Sequence, residues 1–212
     1  MSSTAESPSP LVASMVLDAL DGVAYVVDRD QRIVAVGESN WNAFAVANDG
    51  DHVLATSIVG KSLFDFISGD HIKDAYRKLL VAVLEGDRKI TQFRFRCDAP
   101  SVRREMRMSI SPVWQGDTVI AALFQSQTIA IEDRPPINLF GLFNTPRRHS
   151  IRRAIVTVCS FCHAVSGDDA AKGLDREWVS AEHYYRKGGS SDVEVSHGIC
   201  TDCFKRIEDE LK

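Results

Sequence analysis

Apolar and polar residues alternate with a period of two through three long stretches in the middle of the chain. In residues 90–97, Phe93, Phe95 and Cys97 fall on one side while Gln92, Arg94 and Arg96 fall on the other. In residues 103–113, Met106, Met108 and Ile110 oppose Glu105, Arg107 and Ser109, and a third stretch covers 118–128. Asp98-Ala99-Pro100 and Gln115-Gly116-Asp117 supply the turns between them. This is the pattern of an antiparallel sheet with one buried face. Two shorter strands, 23–28 and 32–36, flank the polar turn Arg29-Asp30-Gln31.

Between the two sets of strands the period changes to that of a helix. Ile72, Ala75, Tyr76, Leu79, Leu80 and Val83 form one apolar stripe over residues 70–85, with Asp70 expected as its cap and Gly86 as its stop. A shorter helix is expected over 39–47, capped by Ser39, and an amphipathic one over 11–20. Two strands, then helices, then three strands within about 110 residues predict an α+β domain whose helices cover one face of a single sheet. Ahead of it, residues 1–10 are rich in Ser and Pro and are expected to be a disordered tail. Residues 131–153 hold three prolines, the cluster Leu139, Phe140, Leu142 and Phe143, and a basic run; they read as a connector with an apolar anchor. The sequence thus divides into a domain over 11–130, the connector, and a second unit over 154–212.

Composition narrows the class only slightly. The 212 residues are 44% hydrophobic, and 25 Lys and Arg against 29 Asp and Glu leave a net charge of −4. So mild an acidic balance gives no global attraction to nucleic acid or anionic lipid. No stretch reaches the roughly 20 apolar residues that span a bilayer, and the start, MSSTAESPSP, lacks a basic and an apolar signal region. A cytoplasmic location is expected, with no membrane contact.

The cysteines change the picture more. Cys159-Ser160-Phe161-Cys162 and Cys200-Thr201-Asp202-Cys203 make two CxxC pairs. A two-residue spacing lets one tight turn aim both sulfurs at a common point, and two such turns give the tetrahedral four-thiolate shell of a structural Zn2+. FKRIEDELK after the second pair reads as a helix, so Cys200 and Cys203 sit at its N-terminus, where the dipole favours thiolates. A pair on a turn and a pair opening a helix describe a small treble-clef-like zinc module. A redox-active dithiol or an iron–sulfur cluster would use the same residues. His163 and His197, next to the pairs, are candidates for hydrogen bonding around the metal rather than ligation. Trp178, Tyr184, Tyr185 and Ile199 are expected to pack beneath it.

The strand and helix order, with a long helix ending in Glu85-Gly86-Asp87, resembles PAS domains. "GKSLFDFISGDHIKDAYRKLL" and "FRFRCDAPSVRREMRMSISP" are similar to a group of stand-alone bacterial PAS-like proteins. That resemblance implies a PAS-like five-stranded antiparallel sheet with helices on one face. It also implies a pocket over the sheet, lined here by Phe93, Phe95, Cys97, Met106 and Met108, whose ligand is unknown. The Asn-Cys-Arg-Phe-like motif of flavin-adduct photosensors is missing from this sequence, and the haem-ligand position of oxygen sensors falls near Ala75, which cannot bind iron. Cys159, Cys162, Trp178, Tyr184 or Tyr185, and Ser196-His197-Gly198-Ile199-Cys200 with Cys203 resemble a cysteine-rich tail found beside receiver, PAS or GAF domains in bacterial signalling proteins. The insert 166–176 departs from that tail in loop length.

No phosphate-binding glycine loop, kinase or cyclase signature, nucleophile elbow or paired-carboxylate motif is present, so a non-catalytic sensory or regulatory protein is expected. It would act on other signalling proteins by contact, as a homodimer through the helix at 11–20. Two alternatives stand beside this. Arg147, Arg148, His149, Arg152 and Arg153 form a basic patch suited to phosphate contact in a nucleic-acid-binding regulator, and the four thiols suit a redox switch. Cys97 is expected as a small core residue rather than a reactive thiol, and the arginines at 94, 96, 103, 104 and 107 as a solvated sheet face.

Overall fold

The computed structural model describes residues 12–48, 50–86, 90–142, 154–167 and 177–210. The expected tail at 1–10, the basic patch from Arg147 to Arg153 and most of the insert lie outside these residues. In chain order the first part contains α1 (Ala13–Asp18), β1 (Val23–Asp28), β2 (Ile33–Val36), α2 (Glu38–Val46), α3 (Ala55–Ile58), α4 (Asp70–Leu84), β3 (Thr91–Arg96), β4 (Val102–Gln115) and β5 (Thr118–Asp133).

The five strands form one antiparallel sheet in the order β2-β1-β5-β4-β3. The alternation read from the sequence sets its two faces. A row of cross-strand partners runs over the inner face from Thr91 through Ile110, Phe124 and Tyr25 to Val36, and all five are buried. On the outer face Arg94 pairs with Glu105 at 3.0 Å, and Arg107 donates to the Gln127 side chain at 2.6 Å, both in solvent. The helix α4 lays Ile72, Ala75, Leu79, Leu80 and Val83 into the core as its period predicts. Burying each leucine contributes about 1.5–3 kcal/mol.

Element ends depart from the sequence reading where distant residues decide them. Ser39 does not cap α2; the helix starts one residue earlier, after Gly37, and the Ser39 and Asn40 amides donate to the Asp18 carboxylate of α1 at 3.2 and 3.1 Å. Asp70 is the first residue of α4 rather than its cap, which is Gly69. Strand β5 runs five residues past the expected end at 128, because its extension stays paired to β4 as far as Val102 opposite Asp133.

The second part contains β6 (Ala154–Cys159), β7 (Val165–Ser166), α5 (Ala181–Arg186), β8 (Val193–Gly198) and α6 (Thr201–Glu210). Its sheet order is β7-β6-β8, with β6 antiparallel to β7 and parallel to β8. A parallel pair requires a crossover, and the chain makes it through α5.

Two apolar cores result, and the boundary between them is not the boundary expected from sequence. The larger begins on the inner face of the five-stranded sheet and continues into Cys159, Phe161, Ile199, Cys200, Cys203 and Ile207. The smaller gathers Ile137, Leu139 and Phe140 of the connector with Val156, Val158, Val165, Ala181 and Val193. Tyr184 and Tyr185 pack on the smaller core, and Trp178 and Ile199 on the larger.

Gly69 marks one point where the two parts touch. It holds φ +90°, and a Cβ there would lie 3.1 Å from the His197 carbonyl oxygen. Only glycine takes this backbone readily. Gly69→Ala is expected to lower stability by about 1–3 kcal/mol, read as a shift of the denaturant midpoint with unchanged slope.

Candidate metal centre and its junction with the sheet

Strand β6 delivers Cys159 to a tight turn, and that turn carries Cys162 back toward β7. The Cys159 amide donates to the Ala164 carbonyl and the His163 amide to the Cys159 carbonyl, at 2.8 and 2.9 Å. His163 closes the turn with φ +59°. Strand β8 runs beside β6 and delivers Cys200 to the start of α6. There the Cys200 sulfur accepts the Cys203 amide at 3.4 Å, the bond an N-cap side chain would make. The Cys200 amide in turn donates to the Cys159 sulfur at 3.4 Å, tying the two pairs together.

The four Sγ atoms lie within 4.8 Å of one another, and those of Cys162 and Cys200 are 3.6 Å apart. Four sulfurs placed tetrahedrally at 2.3 Å from a centre are separated by about 3.8 Å. None of the cysteines is in a disulfide. Hydrogen bonds from the other three sulfurs hold Cys159 far below the usual thiol range, and Cys162 and Cys203 are pushed up as the protons they keep are shared with it. Four thiolates so close repel one another, so the fully ionised set needs a cation at its centre. The donor set therefore fits a metal ion. Arg206 of α6 donates to the Cys203 sulfur at 2.7 Å, adding positive charge at the rim.

The turn between the first two cysteines is seated on the sheet. Phe161 stacks on Tyr76 of α4 with ring centroids 6.0 Å apart and meets Phe93 of β3 edge-on at 5.6 Å. The Arg96 amide, on the free edge of β3, donates to the Phe161 carbonyl at 2.7 Å. The module thus closes one end of the sheet and occupies Phe93.

A second tie was not legible from the sequence. Asp98, read as a turn residue, has a fully buried carboxylate that ion-pairs with Arg96 and with Arg134 at 2.9 Å and lies 3.6 Å from His163 Nδ1. It also accepts the Arg104 amide at 3.1 Å. Burial alone would raise its pKa, but hydrogen bonds from His163 and Arg96 and their charges hold it well below the usual carboxylate range. Arg134 also bonds the carbonyls of Ala99 and Pro100 and lies over the Phe140 ring at 4.7 Å. Sheet turn, connector and cysteine turn therefore meet at one carboxylate. The expected solvated arginine face is corrected to that extent: Arg94, Arg103 and Arg107 are exposed, while Arg96 turns to Asp98 and Arg104 reaches Asn48 and the Cys97 carbonyl. The signal missed was one acid inside a run of arginines.

Four of the five residues expected to line a pocket do so. Phe95, Cys97, Met106 and Met108 border a cavity of about 370 Å3 over the inner face, together with Trp41, Phe44 and Val53. Burial pushes the Cys97 thiol up, and the nearby Arg104 offsets this only in part, as suits a core thiol. A second cavity, of about 450 Å3, opens between α4, Trp41 and the cysteine module, with Ser160 and His197 in its wall. Of the two histidines expected around the metal, His163 lies beside Asp98 with its ring tilted against Phe140 at 5.1 Å, and His197 lines this second cavity.

With the geometry in hand, comparison with known proteins places the chain. The family described as the PAS fold matches residues 17–134, more than half of the chain, and the chain belongs to that family. Among solved structures it is similar to the C-terminal domain of a protein from Streptococcus mutans, at 17% identity over 55% of this chain and 82% of that one, with a TM-score of 0.40. It is also similar to a sensory box sensor histidine kinase from Vibrio cholerae, at 15% identity over 56% of this chain and 90% of that one, with a TM-score of 0.39. No curated protein matches it. Among the described residues, no helix is long and apolar enough to cross a membrane.

Proposed function

We propose that this is a non-catalytic sensory protein of the bacterial cytoplasm, whose PAS unit registers a signal and whose zinc-bound cysteine module passes it on by contact with other signalling proteins. The observation that carries this is the shared core. Phe161, between two metal-site cysteines, packs on Tyr76 and Phe93, so a shift of α4 or β3 acts directly on the cysteine turn. Zinc suits the site better than a redox pair or cluster, because four thiolates at tetrahedral spacing around one point satisfy an ion with no redox chemistry of its own. The module's core is small, and a structural metal supplies the folding energy such a unit lacks.

Dimerisation through α1 is supported by Val12, Met15 and Val16, each about half exposed. Nucleic acid is the less favoured partner, because α6 carries Asp202, Glu208 and Asp209 where a recognition helix would carry basic residues. Elemental analysis of protein purified without added metal, with a visible spectrum of the same sample, tests the metal assignment. One zinc per chain and no absorption band are expected. An iron or flavin band, or no metal, would replace the structural ion with a redox centre.

A further inference from the structure

Strand β3 is an outer strand of the five-stranded sheet, and its free edge is only partly used. The Cys97 amide donates inward to the Arg104 carbonyl of β4 at 3.0 Å, and the Arg96 amide donates outward to the Phe161 carbonyl at 2.7 Å. Main-chain groups of an antiparallel edge strand alternate in this way between the neighbouring strand and the open side. The amides and carbonyls of Gln92 and Arg94 therefore point outward with that of Arg96. Among the described residues, no loop or helix supplies them with the partner that Phe161 gives Arg96. Phe161 makes the first rung of a ladder, and the next ones are open. Beside them runs a groove of about 550 Å3, with β3 as one wall and α6 as the other. Phe93, Phe161 and Ile207 give it an apolar side, and Gln92, Arg94 and Arg107 give it a polar one. It shares no lining residue with the two cavities over the inner face of the sheet.

We propose that this groove binds an extended peptide segment of a partner protein, one in which acidic and apolar residues alternate, as an added strand on β3. The segment takes the open main-chain groups of Gln92 and Arg94 and continues the rung that Phe161 begins. Its alternation follows from the two sides of the groove, because successive side chains of a strand point to opposite faces. Those on the inner side meet Phe93, Phe161 and Ile207; those on the outer side meet Arg94 and its cross-strand partner Arg107. Arg94 donates to Glu105 and Arg107 to Gln127. A guanidinium has five N–H donors, so both keep some for carboxylates. Arg206 is already turned to the Cys203 sulfur, and Asp209 adds a carboxylate to the α6 wall. The acidic side chains are therefore assigned to the sheet side alone. The proposal rests on the sensory reading above, for which it names the contact: α6 carries Cys203, so a bound segment lies against both the PAS sheet and the cysteine module.

The test uses the full-length protein and a fluorescein-labelled peptide of alternating glutamate and valine, read by anisotropy. Saturable binding is expected, and a peptide with lysine in place of glutamate should not bind. Two further peptides carry N-methyl groups, one on its glutamate amides and the other on its valine amides. Only one set of amides can face β3, so one peptide should bind at least about tenfold more weakly and the other nearly as well as the parent. The double variant Arg94→Gln, Arg107→Gln changes two exposed side chains and should bind about fivefold more weakly with an unchanged thermal midpoint. In hydrogen exchange, the Gln92 and Arg94 amides should exchange freely in the unliganded protein and become protected by the peptide. No saturable binding, equal effects of the two methylations, or unaltered affinity in the double variant would overturn the proposal. So would protection of both amides without peptide, which would give the edge to a second copy if it rose with protein concentration and to this chain's own segments if it did not. Protein purified without metal that still bound the peptide would sink the zinc reading and uphold the groove, whereas zinc-loaded protein that failed to bind would do the reverse.

Discussion

A Cys200→Ser variant is expected to lose its bound metal and the folded cysteine module together. Serine is a good N-cap, so the start of α6 keeps its local bond to the Cys203 amide, and the loss can be assigned to the metal shell. Apparent binding energies for structural zinc in small peptides are about 10–16 kcal/mol, as large as the whole stability of an ordinary domain, about 5–15 kcal/mol. The apolar core left to the module is too small to make up that difference. Amide hydrogen exchange with elemental analysis reads both effects. Protection should vanish in β6, β8 and α6 and persist in the β4–β5 pair, where the longest ladder of the sheet lies. Full protection of α6 in a metal-free Cys200→Ser protein would mean that packing alone holds the module.

Asp98→Ala should be the most damaging change outside the cysteines, at about 3–5 kcal/mol. It removes the carboxylate that Arg96, Arg134 and His163 share and strands those groups in a half-buried junction. The effect depends on pH in a definite direction. The folded-state pKa of Asp98 is depressed below its unfolded value, near 3.9 for an aspartate. Its contribution is therefore fully present above about pH 4 and is lost as the pH falls from there through the folded pKa. Denaturant midpoints of wild type and Asp98→Asn should differ most at pH 7 and converge toward pH 2. A gap that stayed constant over this range would show that the carboxylate charge contributes nothing.

The sheet was legible because its information is local and periodic. Phe93 and Phe95 alternate with Arg94 and Arg96 over a few residues, and a period of two has one structural meaning when one face is apolar. The cysteine cluster was legible for the same reason, since each CxxC spacing fixes its own turn. What the sequence hid were bonds between distant positions. Asp18 caps α2 from another helix, and nothing near Ser39 announces that a better acceptor will arrive from 21 residues away. Asp98 looks like any turn aspartate until the connector brings Arg134 and the module brings His163. The connector's apolar cluster was visible, but not that Leu139 and Phe140 would seat in a core with β6 and α5. His197 was read with the metal because it precedes Cys200 by three residues; that it also lines the cavity beside Gly69 was not legible.

The continuity of the larger core has a consequence for biosynthesis. A chain made from its N-terminus at about 5–20 residues per second completes the PAS sheet several seconds before α6 exists. During that interval Tyr76 and Phe93 are without Phe161, the free edge of β3 at Arg96 is open to pairing with any extended chain, and the Asp98 carboxylate lacks His163. The newborn sheet is thus an adhesive surface until its own C-terminus covers it, and a cell short of the metal would prolong that exposure in every copy it makes.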